Sequence, residues 1–450
     1  MPSAALELSA SLTGLHLLRR RPALRGFIMI RAADELSSQM LNVAIAWHIY
    51  SITRSPLSLA YLGLARFLPN LGISMLAGHL ADHFDRSKII KSSLLLQTFC
   101  IASLAVLLAS GTLLIAEIYL LLFLIGAAQA FSAPAMSAMM PNLVSDEEFP
   151  RAVAIYSSIF QVCTLAGPAI GGLIYGISSP GVFAVATAML VLATAQARRL
   201  PGEHGAAPGR DSSPQDTSPF AGVRYIRSNR LLLSLISLDL FAVLLGGVTA
   251  LLPIYARDIL SVGPAGLGCL RCAPGIGAAL VGAFIAHHSI KRRAGRLMLT
   301  CVAGFGIATV VFALSANFWL SLAALIAAGG FDMVSLVIRG TLVQASTPDA
   351  MRGRVSAVQW VFIGASSELG EFESGATAAL FGTVPAALLG GIGTLIAVWL
   401  WSRLFPELRR AGKLIAEPEE SQPETAPTAA AVTACCSTGS CSDRVLATRF

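Results

Sequence analysis

The chain has 450 residues, 55% of them hydrophobic and only 13% charged, against about 25% charged in an average soluble protein; its mean hydropathy is +0.70. A soluble core of this size would need a polar surface that this composition cannot supply, so the chain belongs in lipid. The net charge of +7 sits in short loops between apolar runs, without interleaved aromatics, which argues for membrane topology and against nucleic-acid binding.

In chain order, residues 1–25 form an N-terminal segment in which Arg19-Arg20-Arg21 follow an apolar stretch. A signal peptide has the opposite order, so the first membrane helix is expected to be retained. Runs long enough to cross a bilayer, which takes about 20 residues, fall at 26–50, 57–81, 89–110, 114–138, 150–177 and 180–197. A second set falls at 231–256, 264–288, 296–315, 318–343, 353–377 and 380–401. The spacing predicts an all-α membrane protein of twelve transmembrane helices, in bundles spanning 26–197 and 231–401. Between them, 198–230 reads as a linker rich in Pro, Gly, Ser and charge, with a short amphipathic helix starting near Phe220. The tail, 402–450, is low in complexity and expected to be disordered.

Basic residues alternate from loop to loop. Arg19, Arg20, Arg21, Arg25, then Arg86, Lys88, Lys91, then Arg151, the linker arginines, Lys291 to Arg293, Arg352 and Arg354 fall on one side. The other side carries Arg54 and Arg257. Both termini are therefore expected in the cytoplasm.

The two sets of helices are related. Leu62–Gly72 (LGLARFLPNLG) matches Leu267–Gly277 (LGCLRCAPGIG), so that Arg66 recurs as Arg271. Ser145–Ala154 matches Pro348–Ala357, with Arg151 recurring as Arg354, and Gly167–Gly172 matches Gly370–Gly375. On the same register Gly126 pairs with Gly329 and Gln129 with Asp332. Three ordered blocks at nearly one offset are the mark of a parallel repeat of six helices plus six, an architecture used by secondary transporters.

Charges at membrane depth sharpen this. An ionisable group at the bilayer centre costs at least about 2.5–3.5 kcal/mol on insertion scales, and such groups mark transport pathways. The candidates for substrate binding or proton coupling are Asp34, Glu35, Arg66, Asp239, Arg271, Asp332, Arg339, Glu368 and Glu371. Counting ~1.5 Å per residue along a helix places Glu35 and Arg66 near mid-depth. The repeat then suggests two acid–arginine constellations, Glu35 with Arg66 and Asp239 with Arg271, facing one central cavity. The alternative role for these charges is to tie helices together as ion pairs.

The loop GHLADHFDRSK, Gly78 to Lys88, resembles the signature of the major facilitator superfamily in its Gly78, Ala81-Asp82, Arg86 and Lys88. The resemblance implies the major facilitator fold, with this loop as a cytoplasmic gate. The second-half counterpart has His287 in place of the Asp, so the gate is not expected to be symmetric. Gly167, Pro168, Gly171 and Gly172 resemble the superfamily's antiporter motif; small residues there permit close helix packing and Pro168 a bend. Trp47–Pro69, Thr347–Val358 and Glu368–Gly375 resemble the branch containing the bacterial enterobactin exporter. That branch implies efflux from the cytoplasm, across the bacterial inner membrane, and serves siderophores, drugs and metals; the expected substrate is a small siderophore-like or drug-like molecule, with the buried carboxylates making protons the expected coupling ion.

The eight cysteines suggest no disulfide framework. Cys269 and Cys272, one helical turn apart beside Arg271, and Cys435, Cys436 and Cys441 in the tail support an alternative, efflux of a soft metal or metalloid. Their spacing fits no standard metal motif, and no resident metal or cofactor is expected. The sequence has no phosphate-binding loop, zinc-protease helix or nucleophile elbow. Neither ATP use nor enzymatic activity is expected. The partners implied are a small-molecule substrate, protons and lipid, with the protein acting as a monomer.

Overall fold

The structure is a computed structural model in which residues 17–83, 85–200, 221–288 and 293–410 are described. The expected disordered tail, with its three cysteines, and the Pro-rich part of the linker lie outside the described residues. Every regular element among the described residues is helical. The first six helices are α1 (Pro22–Thr53), α2 (Pro56–His83), α3 (Arg86–Ser110), α4 (Ile115–Met139), α5 (Phe149–Ile177) and α6 (Ser179–Ala197). The short α7 (Ala221–Ser228) precedes α8 (Arg230–Gly246), α9 (Gly263–His287), α10 (Ala294–Leu314), α11 (Phe318–Ala345), α12 (Asp349–Phe381), α13 (Thr383–Leu404) and the terminal turn α14 (Pro406–Arg410).

Nine spans among the described residues are long and apolar enough to cross a bilayer. Three further long helices, α1, α2 and α12, have 32, 28 and 33 residues; α1 and α12 each carry two of the candidate charges. Helix starts are set by side-chain caps. Asn229 accepts from Leu231 and Leu232 amides at 3.0 and 3.3 Å, Asn317 from Trp319 and Leu320 at 2.9 and 3.3 Å, and Asp85 from Ser87 at 2.9 Å.

The packing of the first six long helices reappears in the second six. The pairs α1–α5, α1–α6, α2–α4, α3–α4 and α3–α6 have the counterparts α8–α12, α8–α13, α9–α11, α10–α11 and α10–α13. The two groups meet chiefly through α5 against α9 and α2 against α12, which are again counterparts. The α5–α9 crossing is close because glycines face each other: a Cβ on Gly268 would stand 2.6 Å from the Pro168 carbonyl and 3.3 Å from the Gly172 Cα.

One apolar core runs through the first six helices and continues into the second group through Val248 to Ala256, Leu267, Phe312 and Leu325. Those residues all lie toward the end where α8 terminates. At the opposite end the second group has a core of its own, around Ile226, Leu342, Val355 and Leu408. The two groups are therefore fused at one end and separately packed at the other.

The sequence pattern predicts one continuous helix over 231–256, and here the structure differs. The helix stops at Gly246, passes Gly247 at φ −73° and ψ 69°, and resumes as a 3-10 turn (Val248–Leu251) and a π turn (Tyr255–Ile259). Pro253 in this stretch has no N–H to give an α-helical ladder. The carbonyl of Gly247 freed by the break accepts from Ser374 Oγ at 2.9 Å, so the backbone remains satisfied away from water.

Candidate functional site

The candidate charges gather in the middle of the helix assembly. On α1, Arg31 pairs with Asp34 at 3.4 Å and Glu35 at 3.2 Å, as residues three and four apart on a helix are placed to do. Asp34 and Glu35 are buried. Glu35 also accepts from Gln39 at 2.8 Å and from Thr164 of α5 at 3.2 Å, and Arg31 lies over the Phe160 ring, 5.0 Å from its centroid.

Glu35 is thus matched with Arg31. Arg66 on α2 donates instead to Ser38 Oγ at 3.2 Å and to Gln129 Oε1 on α4 at 3.5 Å. Its charge neighbour on α12 is Glu368, which it shares with Arg271 of α9, and Arg271 also neighbours Glu371. Gly63, one turn from Arg66, makes room for both carboxylates: a Cβ there would lie 3.5 Å from a Glu371 oxygen and 3.6 Å from a Glu368 oxygen. Two arginines and two glutamates, drawn from both helix groups, therefore form a balanced cluster where α2 meets α12. Glu373, on the same helix, accepts from Thr377 at 2.8 Å.

Asp239, set opposite Arg271 by the repeat, is ion-paired with Arg339 of α11, and both are buried. The pairing crosses helices at a rotation that hydropathy does not report. Beside this pair lies a cavity of about 310 Å³, lined by Asp239, Arg271, Asp332 and Glu371 together with hydroxyls of Thr249, Ser335 and Ser367 and the ring of Phe305. Asp332 is exposed to this space although it sits mid-helix.

At the end where the cores are fused, α1 and the π turn of the α8 segment are clasped. Tyr50 donates to the Asp258 carboxylate and Arg54 pairs with it at 2.9 Å. Arg257 lies over the Trp47 ring, 5.8 Å from its centroid. Arg54 takes the left-handed conformation that ends α1, with φ 51°. The sequence reading used Arg54 and Arg257 only as loop charges and did not single out Tyr50, Asp258, Ser38 or Thr164. The adjacent Arg257-Asp258, in an otherwise apolar stretch, was the available signal.

The loop signature is only partly described. Gly78 lies in α2 where side chains are outside the described residues, as does Asp82, so their packing is not assigned. It is Asp85 that caps α3. Arg86 is buried and donates to the Ala138 carbonyl at 2.9 Å: a guanidinium at the C-terminal end of α4 satisfies a carbonyl that the helix leaves open. Lys88 is exposed. In α5, Gly167, Pro168, Gly171 and Gly172 are all buried; Gly167 and Gly171 face Gln39 and Met40 of α1, and Gly172 faces α9. Cys272 donates to the Leu165 carbonyl at 2.8 Å across the same α5–α9 contact, while Cys269 is exposed. Among the described residues no group of three or more His, Cys, Asp or Glu is placed to hold a metal ion.

The sequence matches the family described as Transmembrane secretion effector over residues 20–430. It is 29% identical over 420 residues to the enterobactin exporter EntS of Citrobacter koseri, covering 89% of this chain and 95% of that protein. The same protein of Escherichia coli O1:K1 is also 29% identical over 420 residues, with the same coverage. In fold, the chain resembles a bacterial homologue of the human lysosomal transporter Spinster in an inward-facing, unoccupied conformation, with a TM-score of 0.71, 13% identity, and 87% and 98% of the two chains covered. It also resembles the nucleoside transporter NupG, with a TM-score of 0.64, 12% identity, and 85% and 99% covered. Over almost its whole helical length, then, the chain belongs to the transmembrane secretion effector family of the major facilitator superfamily and is a multi-pass membrane transporter.

Proposed function

We propose that this protein exports a small organic molecule from the cytoplasm across the bacterial inner membrane, by alternating access between two six-helix repeats and in exchange for protons. The observation that carries the reading is the charged cluster of Arg66, Arg271, Glu368 and Glu371, built by both helix groups at their contact. A centre shared in this way is remade whenever the groups rock. The export direction and a siderophore-like substrate are supported by similarity to the enterobactin exporters; buried carboxylates in both groups supply groups able to carry protons.

In this reading twelve helices span the membrane, both termini are cytoplasmic, and the clasp of Tyr50, Arg54 and Asp258 lies on the outer side. The fused core and the clasp close that side, and the separate cores leave the cytoplasmic side open. Asp258→Ala removes a hydrogen bond to a charged group and a half-exposed ion pair. Together these are worth about 1–3 kcal/mol, so the equilibrium is expected to shift about 5- to 150-fold toward the outward-open state. Labelling of a single cysteine placed in the outer vestibule, in intact cells, checks this; an unchanged labelling rate would remove the clasp from the gate.

Inverted membrane vesicles with an imposed pH gradient test the function itself. Tris-catecholate siderophores and a panel of uncharged, acidic and cationic amphiphiles are expected to include at least one compound that accumulates only while the gradient persists. Equal accumulation with the gradient collapsed would contradict proton exchange, and no accumulation of any compound would contradict export.

A further inference from the structure

The charges around the second-half cavity do not all cancel, and Asp332 is left over, facing it. Arg66 and Arg271 balance Glu368 and Glu371. Asp239 is neutralised by Arg339. Asp332 has no hydrogen-bond or ion-pair partner among the described residues, and it is exposed to a cavity of about 310 Å³. That volume is at the scale of small-molecule sites. An ionised carboxylate only accepts hydrogen bonds, and at membrane depth it is costly without a counter-charge.

The walls describe the rest of the ligand. Val243, Val302, Leu325 and Ala328 are apolar, and the Phe305 ring offers a face to a cation. Ser335, three residues along α11 from Asp332, adds a hydroxyl on the same side of the helix. From this we infer that the cavity is a binding site for an amphiphilic organic cation, whose charged centre pairs with Asp332 and whose apolar body lies against Phe305 and the aliphatic wall. The inference rests on the exporter reading and narrows it: the substrate range includes cations, a chemistry the similarity to enterobactin exporters does not supply. The first-half position matching Asp332 is Gln129, which is occupied by Arg66, so the cation site exists in the second half alone.

The test is equilibrium binding to the full-length protein in lipid nanodiscs, with tetraphenylphosphonium as cation and triphenylphosphine oxide as uncharged comparison. The wild type is expected to bind tetraphenylphosphonium saturably and at least about tenfold more tightly than the uncharged probe. Asp332→Asn should abolish that preference without lowering the melting temperature, since Asp332 holds no partner to lose. Asp332→Glu should keep most of it. Equal tetraphenylphosphonium affinity in wild type and D332N, or no saturable binding by folded wild type, overturns the cation site. The two readings fail separately. Gradient-driven accumulation of uncharged or acidic compounds without cation binding sinks this inference and leaves export standing. Cation binding that is lost in D332N, with no vesicle transport of any compound, does the reverse.

Discussion

Arg271→Gln is expected to abolish transport and sharply reduce the yield of folded protein, and adding Glu371→Gln should restore the fold but not the activity. Arg271 and Arg66 stand close enough to two carboxylates to act on them electrostatically where the helix groups meet. All four groups are half-buried, so removing one leaves an uncompensated carboxylate at a cost of up to the roughly 3–5 kcal/mol of a fully buried pair, against the roughly 5–15 kcal/mol typical of whole domains. Removing a carboxylate as well brings the charge back into balance. Thermal melting monitored by size-exclusion chromatography separates the two effects: the single variant should melt well below wild type and the double variant near it. Vesicle transport should fall by at least ~100-fold in both, the scale on which a ~3 kcal/mol effect acts. A fully stable, active R271Q protein would mean that the cluster is a surface feature of the cavity and carries no coupling.

The second large effect is expected at Asp239 and Arg339. Arg339→Met strands the Asp239 carboxylate among buried helices and should lower stability by about 3–5 kcal/mol, while D239L/R339M should match or exceed the wild type, because two desolvated charges are replaced by packing. This contrasts with Asp332→Asn, which breaks no pair. If the melting temperatures of R339M and D239L/R339M coincide, the two side chains do not form the pair described. Transport by the stable double variant then reports whether Asp239 serves the cavity or only the bundle.

Most of the helical frame was legible from sequence because lipid demands long apolar runs and leaves little choice of backbone. The recurrence of Arg66 as Arg271 drew attention to these residues for the same reason: few charges enter a membrane, so those that do stand out. What hydropathy lacks is the rotation of each helix about its axis. Glu35 therefore fell to Arg31 on its own helix, and Asp239 to Arg339 on another, in place of the pairs that the repeat suggested. The break at Gly247 was hidden because its residues are as apolar as a helix; only Pro253 hinted at it. That Asp85 caps α3 was not legible either, since capping depends on where the helix begins, to the residue. The clasp of Tyr50 with Asp258 joins residues 208 apart in the chain, and no local pattern reports such a contact.

The central claim is that the two helix groups rock about the shared charges. Pairs of spin labels at Thr112 and Ala316, in the loops after α3 and α10, and at Ser145 and Ala345, near the opposite ends of α4 and α11, measure both ends of that motion by pulsed electron resonance. Adding a transported substrate or lowering the outer pH in proteoliposomes should lengthen the first distance as the second shortens. Transport that proceeds with both distances unchanged, or with both changing in the same direction, would contradict the account.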